Sequence, residues 1–380
     1  MDPNASEAGR ILRNLIPSLI TSYSLRGILG PAQASDDELK PFRQARQNGI
    51  TVGADLYLMM ETDVAPWCDH WKIDRCTAVD FMADITDGLL DEFCDHVFSK
   101  LQAKGTFPVA VTSFIAEISN KDPVPQNIAF VESVWGRAIC TLLRMADKLQ
   151  ANQPRTVIQI VVGSVIDQFR VDETDDSPRF TVSARDRAAL MKLVLDRLSE
   201  CLARVQEKFS IQPERLRIAL ELEPGPLYLL RDKKSLEAFA SAIENHACPL
   251  VKQCVGFNLD IAHWWLCRDI RSEADVLTSI SSRIFGAHIS GHSPRGHFGD
   301  WGLWKLVKRA ETDPVARKQH ETYLHWLRFL MDELKTPHAS NYVSVELEAA
   351  RADEDVFASI AILNQWLNNM RLPDSATNVN

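Results

Sequence analysis

The chain has 380 residues but no run of about eighteen consecutive apolar ones, so it offers no transmembrane helix. It opens on the polar stretch Met1–Arg10, and the apolar stretch that follows is broken by Arg13, Asn14 and Pro17, so no secretory signal is legible. It has no excess of positive charge. Lys and Arg number 42 against 51 Asp and Glu, for a formal net charge of −9. A general affinity for phosphate backbones needs clustered Lys and Arg, so this balance weighs against nucleic acid as a partner. No C-x-x-C pair occurs among the eight cysteines, and several lie inside apolar helical patterns where Cys acts as a small buried hydrophobe. A reduced, cytoplasmic setting is therefore expected. Neither G-x-G-x-x-G nor G-x-x-x-x-G-K-[ST] is present, so the phosphate-binding first turn of an open doubly wound sheet is missing.

What the chain does have is a hydrophobic fraction of 46%, ample for a large core, and a steady alternation of strand-like and helix-like segments. Short apolar runs bounded by polar or turn residues predict strands at Ser18–Ser24, Ile50–Met60, Phe107–Phe114 and Thr156–Val162. Helical periodicity predicts helices at Asp36–Gln47, Val79–Lys104, Ala129–Ala151 and Ser183–Phe209. Ser183 reads as the N-cap of the last, and Asp186 completes its capping box. Asp167–Pro178 is acidic and polar and reads as a long loop. Glu61–Cys76 reads as a Trp-rich loop; Cys68, His70 and Cys76 lie in it without a convincing fourth zinc ligand.

The second half carries four further runs, each ending on a metal-ligating residue type. Arg217–Leu220 leads into Glu221, Gly256–Leu259 into Asp260, Ile284–Ala287 into His288, and Tyr342–Val345 into Glu346. Helices are expected between them at Lys233–Asn245, Ser272–Ser282 and Pro314–Lys335, with a last one at Asp353–Met370. Eight strand-then-helix units predict a parallel, closed (β/α)8 TIM barrel, an α/β fold. One domain then spans residues 15–370, with 1–14 as a flexible N-terminal segment and 371–380 as a disordered tail. Parallel strands bring their C-terminal ends to one face, so Glu221, Asp260, His288 and Glu346 would meet there. Three carboxylates and one imidazole suit a hard divalent ion: Mn²⁺, Mg²⁺ or Co²⁺, with Zn²⁺ also allowed.

Other polar residues cluster around these strand ends. Glu223 lies two residues beyond Glu221 on the same strand face. Register favours Glu221 for the metal and leaves Glu223 further out, toward substrate hydroxyls. His263 follows Asp260 by one helical turn. After His288 comes His292, and then a loop with Arg295 and His297 among several glycines. Glycine at this density suits a backbone that approaches a ligand closely.

Ile218–Glu221, Asp260–His263 as D-x-x-H, His288 with Gly299–Gly302, and Val343–Glu346 together resemble the xylose isomerase-like TIM-barrel superfamily. That group includes sugar isomerases, ketose 3-epimerases, inosose dehydratases and endonuclease IV. The resemblance covers roughly Leu216–Glu348; the first half fits only through its β/α alternation. In the epimerase-like branch it implies one divalent metal, with Mn²⁺ first, held by Glu221, Asp260, His288 and Glu346. Glu221 and Glu346 would also be the catalytic acid/base pair, and His263 and Arg295 would contact substrate. The implied reaction is isomerisation or epimerisation of a sugar or polyol-like hydroxy-ketone through a metal-stabilised enediolate.

Three rivals stand beside this reading. A dehydratase or lyase, of the inosose dehydratase or C-glycoside lyase type, would share the metal site and differ in its leaving group. A non-catalytic barrel would bind a metabolite without turnover. A three-zinc nuclease would need histidines on the early strands, and the first four predicted strands end without one. The expected partner is thus a small sugar, polyol or related metabolite, with neither nucleic acid nor membrane; a homo-oligomer is compatible with it.

Overall fold

Three consecutive strands form the centre of the sheet: β7 (Leu216–Glu221), β8 (Val255–Asp260) and β9 (Ile284–Ile289). Every residue in them is buried. Burial on both faces explains why these segments read as continuous apolar runs rather than as alternating ones. The computed structural model describes residues 18–21, 51–56, 87–88, 90–91, 94–95, 108–119, 128–149, 156–171, 178–183, 186–225, 228–267, 280–292, 300–333, 342–346 and 353–370.

Around the centre lie β1 (Ser18–Thr21), β2 (Thr51–Leu56), β3 (Pro108–Ile115), β4 (Thr156–Val162) and β12 (Tyr342–Glu346). The strands pair in the closed order β1-β2-β12-β9-β8-β7-β4-β3. From β2 through β12 and round to β3 each pairing is parallel. This is an α/β fold on a parallel sheet. The departure is β1, which runs antiparallel to both β2 and β3. An all-parallel (β/α)8 barrel, as expected from the alternation, is not what these strands make. A four-residue strand carries no period strong enough to reveal its direction in the sequence.

The two faces of the sheet divide the labour. Ile218 and Leu220, Phe257 and Leu259, Ala287 and Ile289, and Val343 and Val345 join the main apolar core with the helices. Each large apolar side chain so buried contributes about 1.5–3 kcal/mol. Successive side chains alternate across a strand, so Ala219 and Glu221, Asn258 and Asp260, and Ser344 and Glu346 belong to the opposite face. On that face Ala110, Val157, Ala219 and Phe285 form a small separate apolar cluster.

The helices that cover the sheet are α1 (Val134–Leu149), α2 (Arg187–Phe209), α3 (Lys233–Glu244), α4 (Pro249–Cys254), α5 (Ile261–Leu266), α6 (Leu303–Ala310), α7 (Pro314–Glu333) and α8 (Asp353–Met370). The start of α2 corrects the sequence reading. Asp186, not Ser183, is its N-cap, accepting from the Ala189 N–H at 2.7 Å. Ser183 instead donates its backbone N–H to Val165 O. Asp232 and Ser235 form a reciprocal capping box on α3.

The expected polar loop at Asp167–Pro178 is largely a hairpin. β5 (Ile166–Val171) pairs antiparallel with β6 (Pro178–Val182), and Phe169 stands opposite Phe180. The acidic residues Asp172–Asp176 drew the reading toward a loop; the short alternations on either side carry the strands. The Gly-rich segment after β9 is likewise pinned at its ends: β10 (Gly291–His292) pairs with β11 (Asp300–Trp301). Residues 61–76, with the Cys68, His70 and Cys76 set, lie outside the described residues, as do residues 1–14 and 371–380 and the helix expected at Asp36–Gln47.

Candidate metal centre

Glu221, Asp260 and Glu346 are the last residues of β7, β8 and β12, and His288 is the last but one of β9. Because these strands are parallel, the four side chains arrive at the same end of the sheet. One ligand atom from each lies within 4.8 Å of the others. All four are buried, with exposures of 2% for Glu221, 0% for Asp260 and His288, and 5% for Glu346.

His288 is the hub. Its Nδ1 lies 2.8 Å from Glu346 Oε2 and 3.0 Å from Glu221 Oε1. Burial alone would lower its pKa, but the Glu346 and Glu221 carboxylates outweigh that and raise it well above the ordinary imidazole range. Burial would raise Glu346, yet His288 holds its carboxyl below the usual value. Asp260 is raised, first by burial and then by the nearby charge of Glu346, against the pull of His263 and His288.

Asp260 divides its two oxygens. Oδ1 accepts the His263 N–H at 2.8 Å and so caps α5. Oδ2 is buried and has no hydrogen-bond partner among the described residues. Three carboxyl groups share this buried pocket with a single imidazole, an arrangement costly to ionise in full unless a cation joins it. A divalent ion fits this donor set in charge, in oxygen-rich chemistry and in the spare Asp260 oxygen. The cluster can hold a metal ion.

The remaining candidates fall at the rim or beyond the described residues. His263, in α5, puts Nδ1 2.8 Å from Leu222 O. A carbonyl only accepts, so Nδ1 carries the proton and a neutral ring has its lone pair on Nε2. Glu223 Oε2 and Asp260 Oδ2 each lie 3.7 Å from that same Nδ1. Glu223 is thus beside His263 and outside the four-residue cluster, which takes in Glu221. His292 is placed by its backbone in β10. Arg295 and His297 lie outside the described residues.

Sequence reasoning passed over two buried polar residues next to the cluster. Asn258 has no exposure and donates from Nδ2 to Glu221 Oε1 at 3.3 Å. Ser344 is equally buried and pairs in register with His288. The signal was available: each is a lone polar residue in an apolar strand, two positions before a ligand and so on its face.

No family model matches the chain, and no curated protein matches it in sequence. Among solved structures, the chain is similar to a provisionally assigned sugar phosphate isomerase/epimerase from Anabaena variabilis. The identity is 14%, over 74% of this chain and 83% of the other, with a TM-score of 0.42.

Proposed function

We propose that the chain is a divalent-metal-dependent isomerase or epimerase acting on a sugar or polyol-like hydroxy-ketone, built on a variant of the xylose isomerase-like barrel. The observation that carries this reading is the buried Glu221, Asp260, His288 and Glu346 cluster, in which three carboxyl groups meet one imidazole. These four residues hold the ion, with Mn²⁺ first and Mg²⁺, Co²⁺ or Zn²⁺ as alternatives. A bound divalent ion supplies Lewis-acid polarisation of the substrate carbonyl.

The protein's own groups do the proton chemistry. Glu221 and Glu346 both approach His288 Nδ1, from β7 and from β12. Carboxylates on strands so placed flank a ligand from two sides. One removes the proton α to the carbonyl and the other returns it. Glu223 and His263 at the rim take substrate hydroxyls, and His292, Arg295 and His297 extend that contact from the segment after β9. The partner is a small metabolite rather than nucleic acid or membrane. No described helix is long and apolar enough to cross a membrane. A cytoplasmic location and a homo-oligomer both accord with this reading.

The test is elemental analysis of purified protein beside His288→Ala and Glu346→Gln variants, followed by incubation with ketoses and inososes in D2O. One equivalent of ion, lost in the variants, with deuterium entering at the α-carbon, is the expected result. An eliminated product would move the reading to a dehydratase or lyase. Absence of any bound ion under every loading condition would overturn it.

A further inference from the structure

Asn258 stands one strand from Glu221, and the two are Cα partners across β7 and β8. Its amide Nδ2 lies 3.3 Å from Glu221 Oε1, the same oxygen that His288 Nδ1 approaches at 3.0 Å. Both side chains are sealed from solvent. Two donors therefore meet one carboxylate oxygen, and they differ in kind. The imidazole belongs to a residue that would itself turn to an ion, whereas the Asn258 amide nitrogen can only donate. The amide proton does not titrate. Its hydrogen bond to Glu221 is therefore available with or without an ion at the site.

Resting on the metal-centre reading above, we infer that Asn258 is a positioning residue that fixes the orientation of Glu221. It anchors Oε1 from the β8 side and thereby presents the carboxylate to the ion in one rotamer. Without the anchor, Glu221 would turn wholly toward His288 in the metal-free protein and would have to be pulled back on loading. Residue type matters at this position. Leucine has similar volume and no donor. Aspartate has the same shape and no donor, and it sets a carboxylate against a carboxylate.

The test uses Asn258→Leu and Asn258→Asp in the full chain, each checked for wild-type circular dichroism. Calorimetric Mn²⁺ titration reads the affinity. Asn258→Leu should weaken binding about ten- to a hundredfold, the range for groups that orient metal ligands. Asn258→Asp keeps the shape and loses the donor, so it should leave Glu221 without its anchor. A purely structural role would leave the Glu221 rotamer unmoved. Crystal structures of the metal-free wild type and Asn258→Leu give a second readout, with Glu221 rotated in the variant. Wild-type affinity in Asn258→Leu, or an unmoved Glu221, would overturn the inference. If wild-type protein binds no ion, the functional reading fails by itself, and the Glu221 rotamer still judges Asn258.

Discussion

His288 Nδ1 and Glu346 Oε2 stand 2.8 Å apart on neighbouring parallel strands, almost wholly removed from water. Their hydrogen bond ties a proton to the site in the metal-free protein, and the pH dependence follows. The folded His288 pKa is raised despite burial, because Glu346 and Glu221 favour the cation. A raised histidine contributes stability that is fully present below its unfolded value of about 6.5 and is lost as pH climbs through the folded value. Asp260, raised by burial, acts in the same direction at lower pH. Glu346 is depressed, so its share is present above the ordinary carboxylate value and vanishes as pH falls through the folded one. Chelator-treated protein should therefore melt at progressively lower temperature as pH rises from about 6.5. Loading with Mn²⁺ should raise the melting temperature by an amount that grows with pH, since an ion must displace the His288 proton. Thermal scans with and without chelator check both trends. A melting temperature that climbs with pH in the stripped protein would contradict the His288 assignment.

The buried thiols give a second, independent test of the packing. Burial pushes the thiols of Cys94 and Cys254 up to about 12. Cys201, in the core between α1 and α2, is likewise raised well above the ordinary thiol range, by burial first and then by Cys140. Thiolate is the reactive form, so these groups should resist iodoacetamide near neutral pH while the protein is folded. Cys248 is only partly buried at the start of α4 and should alkylate before the other described cysteines. Peptide mapping after timed alkylation reads the order. Early labelling of Cys94 or Cys254 would mean that the helices over the sheet open far more readily than this packing implies.

Much of this architecture was legible in the residues themselves. Eight segments read as strands lie in the closed ring, and the three that are buried throughout, β7, β8 and β9, write themselves as largely apolar runs. The four strand-end residues were legible for the same reason, each being a polar full stop after such a run. What stayed hidden was relational. The direction of β1 depends on partners 30 or more residues away, as in the pairing of Leu19 with Leu56. The β5–β6 hairpin was masked by the acidic stretch between its strands. Asn258 looked like an isolated polar residue until Glu221 appeared as its cross-strand partner. A single sequence holds periods well and pairings poorly.

Gly256 couples strand packing to the metal ligands. A Cβ there would lie 2.3 Å from Arg283 O and 2.6 Å from the Phe285 ring. The backbone carbonyl cannot yield as a flexible side chain could. The β8–β9 register already shifts between Phe257 and Asn258, just past this contact. Gly256→Ala should therefore push β8 from β9 and cost about 1–3 kcal/mol, as overpacking in a closed core does. Because Asn258 and Asp260 ride on the displaced strand, metal affinity should fall along with stability. Denaturant melts and a metal titration on the same sample read the two effects. A stable variant with wild-type affinity would show that β8 absorbs the methyl group locally.

Asp260 offers the sharpest separation of stability from function. Its Oδ2 is buried, lacks a hydrogen-bond partner among the described residues, and shares its pocket with two other carboxylates. Holding a charge there is expensive, which is why burial raises the Asp260 pKa. Its Oδ1 meanwhile caps α5 through the His263 N–H. Asparagine has the same shape, is as good an N-cap, and brings no charge. Asp260→Asn should thus leave the helix start intact and relieve the crowding. The metal-free protein should gain about 1–3 kcal/mol, comparable to the cost of a buried unsatisfied group. The same change removes one negative ligand, so stabilisation by added Mn²⁺ should disappear. Opposite signs in the two states are the signature of a site kept charged for its ligand rather than for the fold. Paired denaturant melts of wild type and variant, stripped and loaded, measure all four corners of the cycle. If Asp260→Asn instead destabilises the stripped protein, the Asp260 charge is serving the fold, and the argument for an ion at this cluster loses its electrostatic ground.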